Sequence, residues 1–233
     1  RYIANAISTD FLACSELAAK FMFTSNRLIS KDYLIFRNPI NLDKFSYNPE
    51  IRNNKRRELN IEKTFVLGHV GAFLPVKNHK TIIAVFNEVI KKNKDSKLIL
   101  IGGGIEEIRI KKQAEELGIN EHIIYTGVVD NTYEYMQAMD AFIFPSLYEG
   151  FGNVLIEAQA TGLPCFVSDT ITKETGVTEL IEYLSLNDSP EIWASKILNG
   201  YNENQRVDRS KKISNLGFSI NKCVEAYENL YNS

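Results

Sequence analysis

Cysteine is scarce in this chain. Cys14, Cys165 and Cys223 are its only three, widely separated over 233 residues. An odd, scattered set argues against the disulfide framework of a small secreted protein. No pair has metal-ligand spacing, so no metal and no other cofactor is expected, and the thiols read as reduced, in a cytoplasm. No apolar run approaches the roughly 18 residues that a membrane-spanning helix needs, and no secretory leader is visible. A strong charge of either sign is missing too, since the formal net charge is -2. That balance leaves no overall electrostatic footprint for nucleic acid, and none is expected as a partner. The clusters Lys55-Arg56-Arg57, Lys91-Lys92 and Lys211-Lys212 read as solvated helix faces. There is no internal repeat and no low-complexity segment. The chain opens on Arg1, not Met, and is expected to belong to something longer.

What the chain does have is 44% hydrophobic residues, enough for a substantial core. From about Thr64 to Leu186, short apolar β-branched runs alternate with stretches of helical period. Phe65 to Phe73 predicts a strand and His79 to Lys92 a helix. Leu98 to Gly104 predicts a strand ending in glycines, followed by a helix over Glu106 to Leu117. His122 to Gly127 is a third strand, Asn131 to Met139 a short helix and Ala141 to Ser146 a fourth strand. A helix then opens near Gly152 or Asn153 and stops at Gly162. Pro164 begins a fifth strand, and Glu182 to Leu186 is a sixth. The strand interiors are apolar at consecutive positions, which marks strands buried on both faces. The expected fold class is therefore α/β, a doubly wound parallel sheet whose ligands bind beyond the C-terminal strand ends.

The ends differ. Residues 1–42 offer a strand (Phe11 to Ser15), a short helix and another strand (Tyr33 to Arg37), too little for an independent core. Residues 43–63 resemble a polar linker, and the sheet domain is expected over 64–216. The tail from Pro190 is helical with a break near Gly217. Its last helix, within 217–233, carries Val224, Tyr227, Leu230 and Tyr231 as an amphipathic stripe.

Each predicted strand end carries something unusual. Gly71, Ala72, Pro75, Lys77 and Asn78 follow the first, and Gly102-Gly103-Gly104 the second. Gly127, Val128, Val129 and Asp130 follow the third, and Glu149-Gly150-Phe151-Gly152-Asn153-Val154-Leu155-Ile156-Glu157 the fourth. Glycine lets backbone approach a ligand, free N–H groups at a helix start attract anions, and lysine offers a compact charge for phosphate. Ionised carboxylates only accept hydrogen bonds, which suits hydroxyl-rich groups. Together these describe a crevice for a nucleotide sugar. Taken singly, Glu149 and Glu157 would be ordinary surface carboxylates, and Lys77 a solvated lysine. The glycine run reads equally well as a ligand loop or a tight turn. His69 reads as a core histidine and His122 as a strand start, whereas His79 either contacts the donor or merely starts its helix. Cys165 reads as a small hydrophobe, Phe142 and Phe144 as core, and Tyr133 as either flanking a base or packing its helix.

On GHVGAFLPVKNH, LILIGGG, YTGVVDN, AMDAFIFPSLYEGFGNVLIEAQATGLPC and SDTITKE, with FLACSE and FRNPINLDKF near the start, the chain resembles the retaining glycosyltransferases of family 4. More closely, it is similar to members that build bacterial capsular or exopolysaccharide. The resemblance implies a GT-B fold and no metal. It implies that Glu149 contacts the donor sugar and Glu157 the ribose, while the amides of Phe151, Gly152, Asn153 and Val154 bind sugar hydroxyls and diphosphate. It assigns Lys77, beside Asn78, to the leaving diphosphate, and Gly127, Val128 and Val129 to the base. It implies a UDP-, GDP- or ADP-sugar donor and a glycan or polyprenyl-linked acceptor. Residues 1–42 would be the remnant of an acceptor-binding N-terminal domain, toward which the last helix crosses back. This chain would then be a donor-binding half, inactive alone, from an enzyme of the cytoplasm or the inner membrane face. One position departs: relatives usually read Gly-Arg where this chain has Gly71-Ala72. A nucleotide-sugar 2-epimerase and a non-catalytic nucleotide-sugar-binding module are the alternative readings. A dinucleotide oxidoreductase is disfavoured, because the glycine triplet lacks G-x-G-x-x-G spacing on a first strand.

Overall fold

The computed structural model describes residues 9–201 and 206–232. A two-stranded parallel pair, β1 (Leu12–Ala13) and β2 (Leu34–Ile35), brackets α1 (Glu16–Met22) and α2 (Ser25–Ser30). Then come α3 (Leu42–Phe45) and α4 (Pro49–Glu58), β3 (Phe65–Val70), α5 (His79–Lys92), β4 (Ser96–Ile101) and α6 (Glu107–Glu116). They are followed by β5 (Ile123–Gly127), α7 (Thr132–Ala138), β6 (Ala141–Phe144), α8 (Asn153–Ala160), β7 (Cys165–Ser168) and β8 (Ile181–Leu184). The tail forms α9 (Pro190–Gly200), α10 (Ser210–Ile213) and α11 (Ile220–Tyr231), with Gly217 at φ 89° breaking the run before α11.

Strands β3 to β8 build one parallel sheet in the order β5-β4-β3-β6-β7-β8. The chain winds outward from β3 in one direction, then returns to its other edge through β6, where Leu67 and Gly68 pair with Ala141 and Phe142. This is the doubly wound α/β topology that the consecutive apolar residues predicted. Alternate residues explain it: Val66, Ile99, Phe142 and Phe144 face one core with Leu155 and Ile156 of α8. Leu67, Leu98, Leu100 and Ile143 face the other, with Ile82 and Phe86 of α5 and Trp193 of α9. Each such side chain, fully removed from water, contributes roughly 1.5–3 kcal/mol of transfer free energy.

The stretch 43–63, expected as a polar linker, carries α3 and α4. The solvated reading of Lys55-Arg56-Arg57 is corrected by the structure. Only Arg57 is exposed, while Lys55 and Arg56, with Arg52 one turn earlier, are buried. Lys55 pairs with Glu58 and Glu134, whereas the two arginines meet the carbonyl end of α7. Arg52 donates to the backbone oxygens of Gln137, Ala138 and Met139 and pairs with Asp140. Arg56 donates to Ala138 O and lies 3.1 Å from Asp140 Oδ2. Arg206 adds its guanidinium to the oxygens of Met136, Gln137 and Met139, and burial, reinforced by Arg52, pushes its pKa down to about 9. A helix C-terminus is a site of unsatisfied carbonyls and partial negative charge, which cations complete. Lys91, Lys92, Lys211 and Lys212 are exposed, as expected.

Candidate functional site

The candidate residues gather where the sheet reverses. The loops after β3 and β6 leave neighbouring strands in opposite winding directions and open a crevice above their C-terminal ends, the usual ligand position in open α/β sheets. Pro75–Lys77 form one 3₁₀ turn, Asn78 adopts φ 55°, and α5 begins at His79. Opposite, Gly152 at φ 84° turns the chain into α8. The two loops are stitched together. Leu147 N donates to Val76 O at 2.8 Å, and Asn78 Nδ2 donates to Pro145 O at 3.1 Å.

Across this seam Lys77 Nζ lies 2.5 Å from Glu149 Oε1, both side chains being mostly covered. Glu157, one turn into α8, is half-buried, and its carboxylate has no hydrogen-bond partner among the described residues. Burial raises its carboxyl pKa above the ordinary range. A desolvated acceptor without a donor suits a ligand hydroxyl. The first amides of α8, from Asn153 and Val154, carry the unpaired N–H groups of a helix start.

The glycine triplet is chiefly a packing device. A side chain on Gly102, at φ 136°, would place its Cβ 2.2 Å from Gly71 O. Gly71 N donates to Ile101 O, Phe73 N to Gly103 O and Gly102 N to Gly127 O, so three strand-end loops pack as one floor. Gly71 is itself confined, because a Cβ there would lie 2.9 Å from His69 Nε2. Gly127 and Gly150, by contrast, border open space, and Ala72 and Val128 are exposed at the rim. Val129 is partly buried against the core.

Beneath the floor lie two imidazoles. His69 is buried with Nδ1 2.9 Å from Ile143 O; a carbonyl only accepts, so Nδ1 carries the proton and Nε2 is an unpartnered acceptor. His79 stacks on Phe73 at 4.1 Å, and neither of its ring nitrogens has a partner. Burial, then the charge of Lys77, pushes its pKa down to about 4. Both are neutral core groups, and His79 starts α5. Cys165 is buried, and burial raises its thiol pKa. Phe142 and Phe144 are core, and Tyr133 packs edge-on against Phe45.

Among the described residues before β3, Ser15 and Asn38 reach the segment from β6 to the start of α8, and Glu16 reaches the turn after β7, without any local signal in the sequence. Ser15 Oγ donates to Gly150 O at 3.4 Å, Glu16 N donates to Glu174 Oε2 at 3.1 Å, and Asn38 Nδ2 donates to Asn153 Oδ1 at 3.4 Å. Ser146 Oγ, after β6, is buried and unpartnered. A cavity of about 640 Å³ lies elsewhere, at the opposite end of the sheet, lined by Arg52, Pro164, Glu179 and Arg206 among others. Its arginines are already engaged by carbonyl oxygens and carboxylates. Among the described residues no group of three His, Cys, Asp or Glu could hold a metal ion, and no helix is long and apolar enough to cross a membrane.

Residues 51–207 match the family described as glycosyl transferases group 1. The chain is 30% identical over 234 residues to the putative glycosyltransferase EpsF of Bacillus subtilis (strain 168), covering 99% of this chain and 60% of that protein. It is 27% identical over 247 residues to the capsular polysaccharide biosynthesis glycosyltransferase CapM of Staphylococcus aureus, covering 99% and 63%. The chain thus spans about three fifths of these relatives. Among solved structures, Anabaena Alr3699/HepE in complex with UDP and glucose superposes with a TM-score of 0.81 at 17% identity, covering 100% of this chain and 65% of that one. The shared fold is GT-B.

Proposed function

Because the chain belongs to the glycosyl transferases group 1 family, we propose that it is the donor-binding part of a sugar-transferring enzyme. In this reading the donor is a nucleoside-diphosphate sugar and the acceptor a glycan or lipid-linked saccharide. Transfer proceeds with retention and without a metal, in bacterial surface polysaccharide synthesis at the cytoplasmic side of the membrane. Residues 1–42 belong to an acceptor-binding domain, and this chain alone is inactive. The observation that carries the proposal is the pairing of Lys77 with Glu149 across the reversal point, beside an unpaired Glu157 and the start of α8. The names of EpsF and CapM support sugar transfer and polysaccharide synthesis, and HepE crystallised with UDP and glucose supports the donor class.

The chemistry follows from where charge develops. As the anomeric carbon gains oxocarbenium character, negative charge grows on the departing diphosphate. Lys77 and the first amides of α8 are fixed donors aimed at that charge, the usual main source of rate enhancement. Glu149 accepts from sugar hydroxyls and Glu157 from the ribose. Val128, Val129 and Gly127 border the base.

A thermal-shift panel of UDP, GDP, ADP and their sugar derivatives tests the reading. A ligand at a hundred times its Kd stabilises by about 2.7 kcal/mol, roughly 5–10 °C for a chain of this size. No shift with any nucleotide at millimolar concentration would sink the proposal.

Ala72 supplies a second check. An Ala72→Arg substitution places a guanidinium at the exposed rim beside Gly71 and Lys77. A charge-assisted contact contributes about 1.5–3 kcal/mol, so donor affinity by calorimetry is expected to rise at least about tenfold. Equal affinity of the two proteins contradicts this placement of the diphosphate.

A further inference from the structure

Lys77 and Glu149 each hold the other in the group that a donor would need. Their 2.5 Å contact is mostly shielded from water, and among the described residues the ammonium's other contact is the face of Phe144, 5.3 Å from the ring centroid. The nearby histidines are neutral, so among the described residues no other charged group pairs with Lys77. The two sides of the contact are unequally anchored. Lys77 stands in a 3₁₀ turn locked to the start of α5, with Asn78 bonded both to Pro145 O and to Thr81. Glu149 precedes Gly150, which has open space around it, and Gly152, whose positive φ makes the hinge into α8. When a diphosphate takes Lys77, Glu149 is therefore the partner that moves.

We propose that Glu149 competes with the diphosphate for Lys77, making it a specificity-determining residue that favours the intact nucleotide sugar over the bare nucleoside diphosphate. This rests on the donor-site reading above. A bare nucleoside diphosphate draws Lys77 away and leaves a half-buried carboxylate unpaired beside new negative charge. An intact donor draws Lys77 away equally but offers sugar hydroxyls that Glu149 can accept from. The penalty is relieved only when the sugar is present, so the spent nucleotide is expelled and the loaded one kept.

Calorimetric titration of the 233-residue chain and its Glu149→Gln variant with UDP, GDP and ADP decides the matter. The uncharged amide holds Lys77 weakly, so the variant is expected to bind the preferred nucleoside diphosphate about three- to tenfold tighter than the unaltered chain. The corresponding glucose derivative should gain less than the bare diphosphate does. Glu149→Asp, one methylene shorter, should shift in the same direction by a smaller factor and serves if the glutamine variant does not fold. Equal or weaker binding of the bare diphosphate by the folded variant overturns the inference while leaving the donor site standing. Failure of the unaltered chain to bind any of the three nucleotides overturns both.

Discussion

A Lys77→Ala chain is expected to bind nucleoside-diphosphate sugars about 10- to 150-fold more weakly than the unaltered protein, measured by isothermal titration calorimetry. The lower figure is the loss of one charge-assisted hydrogen bond to phosphate at its weaker end, about 1.5 kcal/mol. A second effect pushes toward the upper figure. With the ammonium gone, no cation offsets the repulsion between the Glu149 carboxylate and the incoming diphosphate. The double variant Lys77→Ala/Glu149→Gln should consequently recover part of the loss, a non-additivity expected of residues in direct contact. Lys91→Ala, on the solvated face of α5, is the control and should change nothing. A loss below threefold for Lys77→Ala would show that the diphosphate lies elsewhere.

The second large effect concerns stability. Asp140→Ala is expected to cost about 3–5 kcal/mol, because it strands buried guanidinium groups. Asp140 is 2% exposed, pairs with Arg52 and Arg56, and accepts from Val66 N at 2.8 Å. At roughly 2–4 °C per kcal/mol for a chain of this length, the melting temperature falls by about 6–20 °C. Asp140→Asn keeps an acceptor for Val66 and should fall less. A calorimetric loss under about 1 kcal/mol for the alanine variant would mean that the carbonyl end of α7 alone satisfies the arginines.

Much of this architecture was legible because its signals are local. A short apolar run such as Leu98 to Ile101, ended by three glycines, fits a strand covered on both faces, and Gly152 and Gly162 punctuate α8 as their backbone requires. The strand-end residues were legible as candidates for the same reason. What stayed hidden depends on distant partners. Arg52 and Arg56 sit in a polar stretch with every mark of a solvated face, and nothing nearby announces Asp140, 88 residues from Arg52. Asn38 and Ser15 lie 115 and 135 residues from the groups they meet. The glycine triplet pointed in two directions because a ligand loop and a close loop-to-loop approach make the same demand for a missing Cβ.

The reversal of winding at β3 carries a consequence for how the chain emerges from a ribosome. Strand β3 can pair on one edge once β4 follows it, but its other edge waits for β6, which begins just beyond Asp140, 74 residues after Val66. Throughout that interval an apolar strand edge, Phe65 to Gly68, has no partner. Unpaired edges of slow-closing parallel sheets are the places where nascent chains associate wrongly. The crevice proposed for the donor thus closes only once β6 arrives, ahead of β7 and β8, and arrested chains ending before residue 141 should be the aggregation-prone ones.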